Sequence, residues 1–123
     1  MAKEKTLTDR QIAYICRGLA LQLHAGITLA DGVYLLAEDA QDSLAQMLRE
    51  MAGDLDLGCE LSDALEKTAR FPDYVCGLAR IGQRSGRLEQ TLQLLAQFYE
   101  RRGRQKRQIK NAIGYPAYIS LRK

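Results

Sequence analysis

The sequence predicts an all-α protein, a compact antiparallel bundle of about six helices, on three observations. Apolar residues recur at spacings of three and four along most of the chain. Alternating β-branched runs, the mark of strands, are missing. The stretches between periodic segments are short and carry Thr, Ser, Gly or Pro, and short connections favour antiparallel neighbours.

The first helix has a complete start signal. Thr8 stands as N-cap with Gln11 three residues on, a capping box, and Leu7 is placed to staple onto Ile12. Its apolar stripe is Ile12, Ile15, Cys16, Leu19 and Leu23, and Gly26 supplies the stop. Thr28 with Asp31 opens a second helix by the same device, with Leu29, Val33, Leu36 and Ala40 on one face. A short connection near Asp42 leads to a third, which buries Leu44, Met47, Leu48, Met51 and Leu55 and stops at Gly58. Ser62 is the expected cap of a short fourth helix carrying Ala64, Leu65 and Ala69 inward. Pro72 ends it, lacking a donor and restricting Phe71. Val75, Cys76, Leu78, Ala79 and Ile81 form the inward face of a fifth, which turns at "RSG". A sixth runs from about Arg87 with Leu88, Leu92, Leu95 and Tyr99 on its core side.

At 123 residues, 46% hydrophobic and 27% charged, the chain has the size and apolar content of one domain with a real core. No segment reaches the roughly 18 consecutive apolar residues of a membrane span, and "MAKEKTLTDR" has no signal-peptide core, so a soluble chain is expected. Three widely spaced cysteines, Cys16, Cys59 and Cys76, with a single histidine suggest reduced core thiols in a cytosolic compartment rather than a disulfide framework or a zinc site.

Catalytic and metal-binding patterns fail one by one. "DLDLGCELSDALE" opens like a calcium loop, but Cys59 stands at the expected glycine and Leu65 where a bidentate Glu is needed. His24 has no Cys or Asp partner at a catalytic spacing, and near a helix C-terminus its expected role is with the helix dipole. The glycines of "IGQRSGRL" do not follow a strand, so no phosphate-binding βα loop is expected. The expectation is no enzyme, no cofactor and no metal.

Charge is divided sharply along the chain. Residues 1–100 hold ten Lys/Arg against all fifteen Asp/Glu, a balance of −5, whereas residues 101–123 hold eight Lys/Arg and no acid. The run "RRGRQKRQIK" comprises Arg101, Arg102, Arg104, Lys106, Arg107 and Lys110. It reads as a solvated helix face, as a nucleic-acid contact, or as a juxtamembrane segment facing anionic headgroups. It lacks interleaved aromatics, and the acidic body would repel phosphates. The third reading demands a span just downstream, and "IGYPAYISL" is turning apolar and aromatic there.

The ordered motifs "LHAGITLADGV", "DLGCELSDALE", "FPDYVCGLARIGQRSGRLEQTL" and "IKNAIGYP" resemble the type II secretion system F domain family over about residues 8–118. Members are inner-membrane platform proteins of type II secretion and type IV pilus machines, with a cytoplasmic helical bundle repeated twice, each copy followed by membrane helices. The resemblance implies a non-enzymatic scaffold that couples a cytoplasmic assembly ATPase to extrusion of pilin or pseudopilin subunits. It implies partners in that ATPase, in other inner-membrane components and, for the full-length protein, in the membrane, with no nucleic acid. The different-class alternative is a free helical nucleic-acid-binding or adaptor module using the basic tail. On this reading residues 1–7 are a flexible lead-in, 8–112 the cytoplasmic bundle and 113–123 the truncated start of a membrane-going segment, marked by Tyr115 and Pro116. Gly82, Gln83, Ser85, Gly86 and Leu88 form the structural corner, where the family usually has Glu in place of Gln83. Outside a bilayer, Ile109, Ile113, Tyr115, Tyr118 and Ile119 would be exposed, which predicts self-association, with a homodimer as one form.

Overall fold

The computed structural model describes residues 6–109, with side chains through Gln105. Lys110, Ile113, Tyr115, Pro116, Tyr118 and Ile119 lie outside the described residues, as does most of the predicted lead-in. Six helices follow one another: α1 Asp9–His24, α2 Leu29–Asp39, α3 Asp42–Asp56, α4 Leu61–Thr68, α5 Asp73–Ser85 and α6 Leu88–Ile109. There is no strand among the described residues. Each helix packs on the next in sequence, and α6 returns to α1 in the most extensive contact of all. Six helices thereby close into a ring around one core.

The predicted starts and stripes account for most of this. Thr8 Oγ1 accepts from the Gln11 N–H at 3.1 Å while Gln11 Oε1 accepts from the Thr8 N–H at 2.9 Å, the reciprocal capping box. Leu7 is buried, and its N–H donates to the Arg70 carbonyl at 2.9 Å, so the chain joins the body one residue before the cap. Thr28 caps α2 from one side only, its Oγ1 accepting from the Asp31 N–H. The core takes Ile12, Ile15, Cys16 and Leu19 from α1, Val33 and Leu36 from α2, and Met47, Leu48 and Met51 from α3. From the other half come Leu61 and Leu65 on α4, Val75, Cys76 and Ala79 on α5, and Leu92, Leu95 and Tyr99 on α6. Each large aliphatic among them contributes about 1.5–3 kcal/mol relative to an exposed position.

Three expectations are corrected, all between α3 and α6. Ser62 is not the cap of α4: the helix begins at Leu61 after Glu60, and Ser62 is buried in its first turn. Ala69 does not face the core; it is exposed and ends α4 in the left-handed conformation, at φ +58°. Ile81 is not inward either. It is 64% exposed, because Gly82, one residue on, takes the place against α6 and rotates Ile81 outward.

Candidate functional site

The predicted corner forms where α5 hands over to α6. Gly86 sits at φ +76°, and the Arg87 N–H reaches back to the Gly82 carbonyl at 2.8 Å, a Schellman-type closure. Ser85 is exposed and bonds locally to the Gly82 carbonyl at 3.3 Å, while Leu88 packs at the edge of the core. Gly82 is buried by close helix approach: a Cβ there would stand 2.7 Å from the Thr91 Cβ. Thr91 is itself fixed, its hydroxyl donating to the Arg87 carbonyl at 2.8 Å.

Gln83 has a job the sequence did not reveal. Its Oε1 accepts from the Leu61 N–H at 3.0 Å, so a side chain of α5 caps the first turn of α4. No residue within α4's own start supplies a side-chain cap. A neutral amide suffices, since the partner is a backbone donor; a carboxylate would serve too, with added attraction to the helix N-terminus. Arg80, one turn back, bridges Asp63 at 2.9 Å and Glu66 at 3.1 Å, which raises its guanidinium pKa through the hydrogen bonds to Glu66 and then Asp63. Arg84 reaches Glu60 at 3.7 Å, and these links run antiparallel between α4 and α5.

A second antiparallel set joins α1 to α6. His24 Nδ1 meets Glu89 at 3.0 Å, Arg17 forks onto Glu100 at 2.9 and 3.1 Å, and Asp9 meets Arg102 at 3.2 Å. His24 lies in the last turn of α1, where the sequence placed it, with a carboxylate partner the spacing did not show. The Arg17 hydrogen bond holds the Glu100 carboxyl below its ordinary range.

The basic run divides in two. Arg102 is drawn onto the body, paired with Asp9 and lying 5.9 Å and 5.6 Å from the Phe98 and Tyr99 ring centres. Arg101 and Arg104 are exposed. Backbone helix continues through Lys106 and Arg107 to Ile109, so α6 is one rod of 22 residues, about 33 Å long. An open groove of about 790 Å³ lies between the start of α1 and the last turns of α6, with Tyr14, Pro72, Arg10 and Arg104 at its walls.

Among the described residues no group of His, Cys, Asp and Glu is arranged to hold a metal ion. None of the described helices is long and apolar enough to cross a membrane. All three thiols are free; Cys16 is buried, and burial pushes its pKa up to about 12.

Comparisons with known proteins agree on one family. The model described as "Type II secretion system (T2SS), protein F" matches residues 15–121. The chain is 30% identical over 112 residues to the type IV pilus assembly protein TapC of Aeromonas hydrophila, covering 89% of this chain and 27% of that protein. It is 32% identical over 109 residues to the protein transport protein HofC homolog of Escherichia coli, covering 87% and 27%. With the type II secretion system protein F of Vibrio cholerae it shares 25% identity over 120 residues, covering 96% and 30%. The chain thus spans less than a third of the length of these relatives.

Proposed function

The chain belongs to the type II secretion system protein F family, and from that premise we propose that it is a cytoplasmic bundle of an inner-membrane platform protein, coupling an assembly ATPase to pilin or pseudopilin extrusion. The observation that carries this reading is the reach of the family match, from inside α1, across every later helix and the basic run, to residue 121. The matched unit therefore includes both the ring and the apolar stretch that follows it. Hydrolysis belongs to the ATPase, and this bundle transmits force without chemistry of its own.

The construction of α6 supports transmission. Its first half carries Leu92, Leu95 and Tyr99 into the core, and the same unbroken helix carries Arg101, Arg102 and Arg104 beyond it. A load on the ring is passed to the basic end without a hinge. Tyr115 and Pro116 would lead into the first span, with Arg101, Arg104, Lys106, Arg107 and Lys110 on the cytoplasmic side beside anionic headgroups.

The test is photo-crosslinking in cells that make the full-length protein, with the crosslinker at exposed ring positions such as Glu38 or Asp56. Adducts with the machine's ATPase, together with loss of pilus assembly or secretion on deletion of the gene, are expected. Normal assembly without the gene overturns the reading. Tight, steeply salt-dependent binding of the isolated chain to duplex DNA would favour a nucleic-acid module instead.

A further inference from the structure

We propose that the outer side of the α5–α6 pair is a docking face for an anionic phospholipid bilayer, so that the ring lies against the membrane along α6 rather than standing clear of it on the helix end. The proposal rests on the platform reading for the nearness of a bilayer and goes beyond it in naming the face.

The face is assembled by register. Helical periodicity puts Thr91, Leu94, Phe98 and Arg101 on one side of α6, with Arg87 directly before its first residue, and Tyr74, Leu78 and Ile81 on one side of α5. Thr91 opposes Gly82, and the Tyr74 and Phe98 rings meet with centroids 5.6 Å apart, which sets these two sides next to each other. The core is already satisfied by Val75, Cys76 and Ala79 on α5 and Leu92, Leu95 and Tyr99 on α6. Yet Tyr74 is 53% exposed, Ile81 64%, Leu94 65% and Phe98 39%. Four large apolar side chains thus face water on adjacent helix sides, the kind of patch that marks an interaction surface.

Charge identifies the cover. Arg87 stands at one end of the strip and Arg101 at the other, both exposed, with Arg102 lying beside Phe98. No carboxylate shares these two helix sides: Asp73 stands two turns before Arg80 on the side of α5 that meets α4, Glu89 pairs with His24 and Glu100 with Arg17. Apolar and aromatic residues flanked by arginines, without acids, match the boundary between acyl chains and anionic headgroups. A second copy fits less well, since pairing the strip with itself brings arginines together with no carboxylate to separate them. The apolar residues of α2 make the contrast. Tyr34 and Leu35 are exposed between Asp31 and Glu38, on a helix with no basic residue, and an anionic surface repels that face.

Vesicle flotation of the 123-residue chain tests this, using phosphatidylglycerol-rich and pure phosphatidylcholine vesicles. Ile81→Gln with Leu94→Gln should lower partitioning onto the anionic vesicles by about tenfold or more, from loss of two inserted side chains. Leu35→Gln should leave it unchanged. Arg87→Gln with Arg101→Gln, both at exposed positions outside the core, should lower it by up to about fivefold per charge, which keeps the proposal open to refutation if the first variant does not fold. Equal binding by the strip variants and the parent overturns the proposal, because residues 110–123 would then account for all of it. So does an absence of binding to either vesicle. A lipid-free dimer that the strip variant converts to monomer overturns it in favour of a second copy. None of these outcomes touches crosslinking to the ATPase, so this face can fail while the platform reading stands.

Discussion

The α1–α6 seam and the α4–α5 pairing close the same ring by different means. At the seam, helices of 16 and 22 residues run side by side, α1 starting with its own capping box. Polar pairs then link them at the two ends and in the middle, through His24–Glu89, Arg17–Glu100 and Asp9–Arg102. In the α4–α5 pairing, α4 has eight residues, no side-chain cap of its own and a C-terminal alanine at positive φ. Helices that short are marginal alone, because nucleation costs more than one or two turns return. Helix α4 holds because α5 supplies what it lacks: Gln83 caps its start, while Arg80 bridges Asp63 and Glu66 along its length. A long helix carries its instructions within itself, and a short one takes them from its neighbours.

The largest effect that would break this contrast is at Gly82. Gly82→Val should destabilise the chain by about 3 kcal/mol, since the new Cβ meets a Thr91 side chain held by its bond to the Arg87 carbonyl and the helices must part. Denaturant midpoints measure it. A cost near zero would show that α5 and α6 separate freely. Gly86→Val comes next, at roughly 1–3 kcal/mol, and for a different reason: nothing lies within 4 Å of its Cβ position, so the whole cost is the positive φ.

Gln83→Ala should cost about 1 kcal/mol, the value of an N-cap bond, and raise hydrogen exchange in α4 ahead of α1 and α6. Gln83→Glu should retain that stability. Uniform exchange in the alanine variant would mean that α4 stands without its borrowed cap. Ala69→Gly should go the other way, stabilising by about 0.5–1 kcal/mol, because glycine adopts φ +58° without the penalty alanine pays.

The smallest effect belongs to the seam. The Glu100 carboxyl, lowered by Arg17 from an ordinary value of 4.5, adds stability above that value and loses it as pH falls through the lowered folded one. Glu100→Gln should therefore flatten the acid side of the melting-temperature profile and leave its neutral side shallowly lower. Identical profiles for the variant and the parent would remove the fork from the account of the seam.

The sequence by itself determined the helix count, four of the six inward faces in full, the Thr8 box, the glycine turn at Gly86 and membership in the family. These are local or periodic properties: a cap is read over three residues and an apolar stripe over a few turns. Tertiary structure alone decided the partners. Ser62 looked like a cap because Ser before an apolar run has that propensity, but the helix begins one residue earlier, its Leu61 N–H donates to Gln83, 22 residues further on, and Ser62 is buried. Ile81 fitted the inward period of α5, and the close approach at Gly82 turned it outward. Arg102 belonged to a run of identical charges until the antiparallel packing of α1 on α6 brought Asp9 beside it. Each outcome depended on which helix arrived at that side, which periodicity within a single helix does not encode.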